Sequence, residues 1–284
     1  MKEQIEYSTD VPCTWCPGCG NFSIAKALRA ALAEEELLPQ NMVIVSGIGQ
    51  AAKLPHYVRC NGFNGLHGRA VAAATAIKLA VQEMPVIVHC GDGDCYGEGL
   101  NHLIHAIRRN IDLCVIVHDN RIYGLTKGQS SPTTAWGQRT SSEPQGASNH
   151  PLNPLTLALS QDCSFLAQAF SGKEEQLSDL IQKGIRHKGF SLINVLQPCV
   201  SFNKLHTFKW FKERTYELPP DWDEKNREAA MTKLLQNDDT LPLGLLYRRE
   251  RKAFVDELSE AQRIPMRQRE PRPEQVKTLF DGLR

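Results

Sequence analysis

"GDGDCYGEGLNHLIHAIRRNIDLCVIVHDN", residues 91–120, decides the fold. It follows the apolar run Val86-Ile87-Val88, and its own apolar run, residues 113–117, stops three residues short of Asn120. Short β-branched runs of this kind read as buried strands, and residues 99–109 between them read as a helix. Strand, helix and strand in that order predict two strands of a mostly parallel sheet. Ligands of parallel sheets sit beyond the carboxyl ends of the strands, so Gly91-Asp92-Gly93 and Asn120 are predicted to lie side by side.

Outward from this unit the same alternation continues. Further strands are expected at 42–45 and 192–196, alongside 86–90 and 113–117, and further helices at 23–36 and 69–83, the latter ended by Pro85. The fold class is therefore α/β, a mostly parallel sheet with helices on both faces. Residues 123–154 are dense in Gly, Ser, Thr, Pro and Gln and read as one long loop, a length that in compact domains usually carries function. After Pro198 come Phe202, Phe208, Trp210 and Phe211, then a charged stretch with little expected core. We expect residues 1–200 to form the main domain with an N-terminal cysteine segment, and 201–284 an extension in contact with another chain of the assembly. Ten Lys or Arg against seven Asp or Glu in 247–284 suit a solvated face or a docking surface.

The chain of 284 residues is 41% hydrophobic, enough for a full core, and its 33 basic against 32 acidic side chains give no field that would gather nucleic acid or an anionic membrane. The polar N-terminus and the absence of any long apolar run predict a soluble cytoplasmic protein without a membrane partner. Nine cysteines, an odd number, fit reduced thiols and metal ligands better than a secreted disulfide framework.

Gly91 and Gly93 let the backbone approach a bulky anion, and the following helix points free N–H groups at the same place. Asp92 offers a hard anionic oxygen and Asn120 a neutral one, a set that suits an octahedral Mg²⁺ also bound by phosphate. Alone, the tripeptide is equally a capped turn. Cys16 and Cys19, in Cys-x-x-Cys, fit a zinc knuckle, a redox pair or part of an iron–sulfur site, and spacing does not separate these. Cys90, Cys95, Cys114 and Cys163 read as small buried side chains.

Gly91-Asp92-Gly93, 26 residues and then Asn120 resembles the thiamine diphosphate (TPP) motif. With "WCPGCGN" at 15–21, "SGIG" at 46–49, "LHGRA" at 66–70 and "DNRIYGLTKGQSSPT" at 119–133, the chain is similar over residues 11–211 to the β subunit of 2-oxoacid:ferredoxin oxidoreductases, most closely the two-subunit 2-oxoglutarate type. The resemblance implies the TPP-binding fold, with Mg²⁺ on Asp92, Asn120 and the Ile122 carbonyl. It implies cofactor contacts from Gly49, His67, Gly91, Gly93, Gly124, Leu125 and Thr126, with Leu125 beneath the bent cofactor and Gln129 beside Thr126. Lys53 is a candidate for pairing with a substrate carboxylate, and His67 for hydrogen-bonding diphosphate or substrate.

A 4Fe–4S cluster is also implied, with ligands at Cys16, Cys19, position 50 and Cys199. Position 50 is Gln50, a poor iron ligand beside thiolate, so Cys13 is the expected replacement and Cys60 the reserve. The implied reaction is reversible, coenzyme A-dependent oxidative decarboxylation of a 2-oxo acid to acyl-CoA and CO₂, with electrons passed through the cluster to ferredoxin. An α subunit in an (αβ)2 assembly is expected to supply the missing carboxylate and the coenzyme A contacts. Pyruvate, and a cluster-free TPP decarboxylase or ligase half with a zinc knuckle, are the alternatives.

Overall fold

The computed structural model describes residues 6–236 and 239–258 and, beyond these, 263–265, 268, 274 and 281. Most of the charged tail after 258 lies outside the described residues, as do residues 1–5. Five parallel strands make the centre: β1 (Val43–Ser46), β3 (Val86–Gly91), β4 (Leu113–Asp119), β5 (Phe165–Phe170) and β6 (Phe190–Leu196). Edge strands β2 (Asn61–Asn64) and β7 (Thr215–Glu217), with β8 (Leu241–Arg248) between β5 and β7, complete one eight-stranded sheet in the order β2-β1-β3-β4-β6-β5-β8-β7. Only the β5–β8 pairing is antiparallel. Every residue of β4, β5 and β6 is buried, as expected of strands covered on both faces.

Each face has its own apolar layer. Helices α1 (Asn21–Glu34) and α5 (Glu174–Arg186) cover one face, with Ile24, Leu28, Leu32, Leu177 and Ile181 buried against Ile87, Ile116 and Ile193. Helices α2 (Ala70–Ala80), α3 (Leu100–Arg109) and α4 (Pro154–Ser160) cover the other, where Ala70, Ala74, Leu103 and Leu159 meet Val88, Val115 and Leu192. The small residues of α2 let it press close to the sheet. Two shorter helices, α6 (Phe208–Arg214) and α7 (Arg227–Leu235), follow in the C-terminal region. Among the described residues no helix is long and apolar enough to cross a membrane.

The strands and helices expected from the sequence are present, with ends shifted by no more than three residues. The C-terminal region differs from expectation. In place of little core, β8 adds to the main sheet and buries Leu243, Leu246 and Tyr247, while Phe211 is fully buried against Phe170 and Leu196. Asn110 ties this region to the rest. It ends α3 in the left-handed conformation at φ 52°, its Oδ1 accepts from Ser164 Oγ and the Phe190 amide, and its Nδ2 donates to the carbonyls of Arg251 and Lys252.

Because β1, β3, β4 and β6 are neighbours and parallel, the chain segments that leave their carboxyl ends emerge together. Those segments are 47–50, 92–99, 120–134 and 197–203. Truncating Leu246, fully buried in β8, to Ala is expected to lower stability by about 2–5 kcal/mol in urea unfolding; an unchanged midpoint would mean that β8 is not part of the core.

Candidate functional site

Sheet register explains how the site is assembled. Gly91 pairs with His118, so Asp92 leaves the sheet beside Asp119, and Asp119 pairs with Leu196, so Asn120 leaves it beside Gln197. Asp92 is buried, and its Oδ2 accepts from Ser131 Oγ at 2.5 Å and Thr133 Oγ1 at 2.7 Å. Thr133 Oγ1 also stands 2.8 Å from Asp119 Oδ1, so one hydroxyl bridges two carboxylates. Burial first, then the Asp119 charge, push Asp92 up to about 7 despite these hydrogen bonds. Asp119 is itself held by Asn194 Nδ2, whose Oδ1 accepts from Tyr96.

Asn120 is turned elsewhere. Its Oδ1 accepts from the Ile122 amide at 3.0 Å, its carbonyl accepts from Asn203, and Arg121 beside it adopts a left-handed φ of 58°. The side chain borders a cavity lined also by Cys16, Cys19, Gln50, Gln197 and Cys199. The expected pair is thus on adjacent strand ends, with Asp92 hydrogen-bonded in the 131–133 loop and Asn120 facing the cysteines.

The glycines of this region are required by what crosses them. The Tyr123 ring lies over Gly93, where a Cβ would come within 2.2 Å of it, and its hydroxyl donates to Glu98. The segment Gly93–Glu98 forms a π-helical turn, so helical structure begins ahead of the start expected at residue 99. At Gly49, with φ 122°, and at Gly91, a Cβ would meet nothing within 4 Å, so both open onto free space.

His67 Nδ1 lies 3.0 Å from Glu98 Oε2 and 3.6 Å from Asp94 Oδ1, just ahead of α2. Asp94 is a residue that sequence reasoning passes over. Its Oδ1 accepts from the Gly68 amide, its Oδ2 is buried without a partner, and a side chain at Gly47 would strike it. It therefore joins the 46–50 and 66–69 loops to the 92–99 segment. Burial raises its carboxyl pKa. Lys53 Nζ donates to Thr14 Oγ1, which places it beside the N-terminal cysteine segment, not beside Asp92. Leu125 is exposed, and Thr126 donates to Gln129 within the same turn.

Three of the four expected cysteines meet: Cys16, Cys19 and Cys199 line the cavity, and Gln50 is there too, its Oε1 buried without a partner. Gly124 lines the same cavity, and a Cβ there would lie 3.5 Å from Cys199 Sγ and 3.9 Å from Asn120 Nδ2. Cys13 is exposed but close enough for its charge to act on Cys19, whose thiol burial pushes up to about 11. Cys60 packs instead with the core beneath α1, near Pro55. Cys90, Cys95, Cys114 and Cys163 are buried, as expected. Among the described residues no three His, Cys, Asp or Glu side chains converge on a single metal ion. A cubane cluster asks for something else, because its thiolates bind separate irons.

The polar residues of this edge that sequence reasoning misses are Asp94, Asp119, Arg121, Ser131 and Thr133, all within the motifs quoted above, and Gln197, two residues before Cys199. Arg121 is the most heavily engaged of them: its guanidinium contacts His206 Nε2 at 3.1 Å and lies over the Trp210 and Phe211 rings. Position beside a motif is the available signal, and only register turns it into contact.

Residues 40–195 match the family described as "Thiamine pyrophosphate enzyme, C-terminal TPP binding domain", and residues 199–263 match the family that forms the C-terminal part of the pyruvate ferredoxin oxidoreductase beta chain. A 2-oxoacid:ferredoxin oxidoreductase subunit beta from Sulfolobus is 44% identical over 249 residues, covering 83% of this chain and 82% of that one. The 2-oxoglutarate synthase subunit KorB of Methanocaldococcus jannaschii is 34% identical, with 87% and 92% covered. A solved structure of 2-oxoglutarate:ferredoxin oxidoreductase from Magnetococcus marinus, with 2-oxoglutarate, coenzyme A and succinyl-CoA bound, superposes with a TM-score of 0.91 at 33% identity, over 96% of this chain and 94% of that one. With its parallel sheet, its diphosphate-type loop and its cysteine cavity, this chain belongs to the family of 2-oxoacid:ferredoxin oxidoreductase β subunits.

Proposed function

We propose that this chain is the TPP-binding β subunit of a 2-oxoglutarate:ferredoxin oxidoreductase, which converts the 2-oxo acid and coenzyme A to succinyl-CoA and CO₂, reversibly, and passes the electrons to ferredoxin. The observation that carries the reading is proximity. The loop that would hold the diphosphate meets the cavity of three cysteines at Asn120 and Gly124, which line that cavity. The choice of 2-oxoglutarate rests on the names and bound molecules of the relatives and on Lys53 near the cysteine segment.

The residue types present suit both groups, although in this structure Asn120 Oδ1 accepts from the Ile122 amide and Asp92 Oδ2 from Ser131 and Thr133. Two carboxylates bridged by one hydroxyl in a buried place are a donor set in want of a divalent cation. Mg²⁺ would be held by Asp92, Asn120 and the Ile122 carbonyl, and the cluster by Cys13, Cys16, Cys19 and Cys199. When bound, TPP supplies a nucleophilic carbon and the cluster a one-electron acceptor. The chain supplies the rest. Gly49, Gly91, Gly93 and Gly124 admit the cofactor backbone-close; Leu125, exposed at the same edge, supports its bent shape. His67, oriented by Glu98 and Asp94, donates to diphosphate or substrate, Thr126 and Gln129 line the approach, and Lys53 pairs with the substrate's distal carboxylate.

The site is incomplete without a partner. We assign the second half to an α subunit in an (αβ)2 assembly, docked at the edge where Ile48, Leu66, Leu125 and Phe202 are exposed, with residues 201–284 taking part. The working place of the complex is the cytoplasm, with ferredoxin as its redox partner.

Titrating the αβ complex with TPP and Mg²⁺ should give binding that Asp92→Ala weakens by at least about 100-fold, the cost of removing a metal-binding carboxylate; equal binding by the two proteins would sink the reading. Iron and acid-labile sulfide should be near four each per β chain after anaerobic purification, as a cubane requires. Cys13→Ala should lower both, whereas Cys60→Ala should leave them unchanged; the reverse pattern would move the fourth ligand to Cys60.

A pH dependence follows from Asp92. Its folded pKa of about 7 lies above the unfolded carboxyl value of about 4, so the folded state holds the proton more tightly. The resulting stabilisation is full below about pH 4 and is lost as pH rises through 7, by an amount on the order of a few kcal/mol. Metal-free protein should therefore melt at lower temperature at pH 8 than at pH 5.5, by roughly several degrees. Asp92→Asn should flatten that slope, and Mg²⁺ with TPP should restore the wild-type melting temperature at the higher pH. A slope that Asp92→Asn leaves intact would assign it to another group.

A further inference from the structure

We propose that Gln197 sets the reduction potential of the cluster by donating an N–H···S hydrogen bond to Cys19. The inference rests on the reading above that Cys16, Cys19 and Cys199 hold a 4Fe–4S cluster, and it concerns a residue that the ligand set does not contain.

Gln197 is the first residue past β6, and its backbone amide extends the sheet by donating to the Asp119 carbonyl at 3.0 Å. Its side chain is 1% exposed and turns into the cysteine cavity. Nε2 lies 3.4 Å from Cys19 Sγ and 3.0 Å from the Pro198 carbonyl oxygen. A carbonyl only accepts, so the Pro198 contact fixes which end of the carboxamide faces the sulfur: it is the NH₂ end. Oε1 is buried without a partner. The carboxamide is thus held toward the sulfur although its oxygen gains nothing there, which is the mark of a side chain placed for its donor.

Neighbouring residues make room for this contact and steady it. A side chain at Gly20 would put its Cβ 2.7 Å from Gln197 Cγ and 2.9 Å from Ser171 Oγ, so the glycine between Cys19 and α1 is what lets Gln197 reach the sulfur. The Asn21 amide, at the start of α1, acts on the same sulfur and opposes the effect of burial on its pKa. Asn21 is itself fixed by its side chain, which contacts His118 Nδ1 at 2.8 Å, and His118 Nε2 meets His89 Nδ1 at 2.9 Å, all three side chains buried. Cys19 Sγ is therefore met by the Gln197 donor beside a rigidly held start of α1.

Reduction adds one electron and no proton to a thiolate cluster, so the added negative charge resides on iron and sulfur. Donors aimed at sulfur stabilise that more negative state and raise the potential, and a carboxylate in the same place does the opposite. The contact is with one ligand sulfur, and the effect should be that of one hydrogen bond.

The test is an EPR-monitored redox titration of the anaerobically purified αβ complex, comparing wild type, Gln197→Leu and Gln197→Glu. At the ambient potential that half-reduces the wild-type cluster, the reduced-to-oxidised ratio should fall about tenfold in Gln197→Leu and further in Gln197→Glu, with iron and sulfide contents unchanged. Gln197→Glu keeps the shape of the side chain, so it carries the test if Gln197→Leu does not fold. Variants that titrate together with wild type, at full iron content, overturn the inference and leave the proposed function standing. Wild-type protein without iron and sulfide overturns the cluster reading itself, and this inference with it.

Discussion

Everything at this site depends on parallel register. Four adjacent strands, β1, β3, β4 and β6, end at one edge, and the pairing of Gly91 with His118 and of Asp119 with Leu196 decides which side chains meet beyond it. A slip of one residue would turn Asp92 to the opposite face and separate Cys199 from Cys19. The strands are held to that register by two apolar layers that are independently complete, so the polar edge need contribute nothing to its own placement. That division lets the edge carry arrangements that oppose folding, such as two close carboxylates and several orphaned carboxamide oxygens.

The same edge joins two kinds of chemistry that pull in different directions. Asp92 and Asp119 are hard oxygen donors in a confined place, suited to a dication and phosphate. The cysteines a few residues away are soft donors suited to iron. Asn120 and Gly124 stand between them, one with a neutral side chain and the other with none, so neither donor set intrudes on the other. A charged or bulky residue at either position would blur that boundary. Arg121 adds a further restraint: clasped by His206 and the Trp210 and Phe211 rings, it anchors the loop to the C-terminal region and keeps a positive charge near both carboxylates.

Much of this is legible in the sequence because it is local. The runs at 86–90 and 113–117 announce their strands by β-branched composition, and the order of strand and helix fixes parallel pairing. Three of the four expected cysteines can be placed in one cavity by motif alone. What escapes such a reading is non-local or ambiguous in period. "FLAQAF" in β5 carries a Gln that interrupts an apolar run, yet Gln168 is buried and bonded to Asn194 and the Pro242 carbonyl. "LPLGLLYR" in β8 contains Pro and Gly, which argue against a strand unless it pairs on one side in part, as this one does. The direction in which Asp92 and Asn120 point, and the role of Thr133 between two acids, depend on a loop forty residues away and have no periodic signature.

Asn110 has a bearing on how the chain is made. Its carboxamide draws on partners at 164, 190, 251 and 252, so the left-handed end of α3 stays unsatisfied until the last central strand and the segment after β8 have arrived. During synthesis the first half of the polypeptide can collapse onto β1, β3 and β4 but cannot close this knot, and the half-made sheet exposes a bare β4 edge until β6 arrives. A chain truncated before β6 would carry the same open edge permanently, which makes β6 a guard against association as much as a portion of the fold.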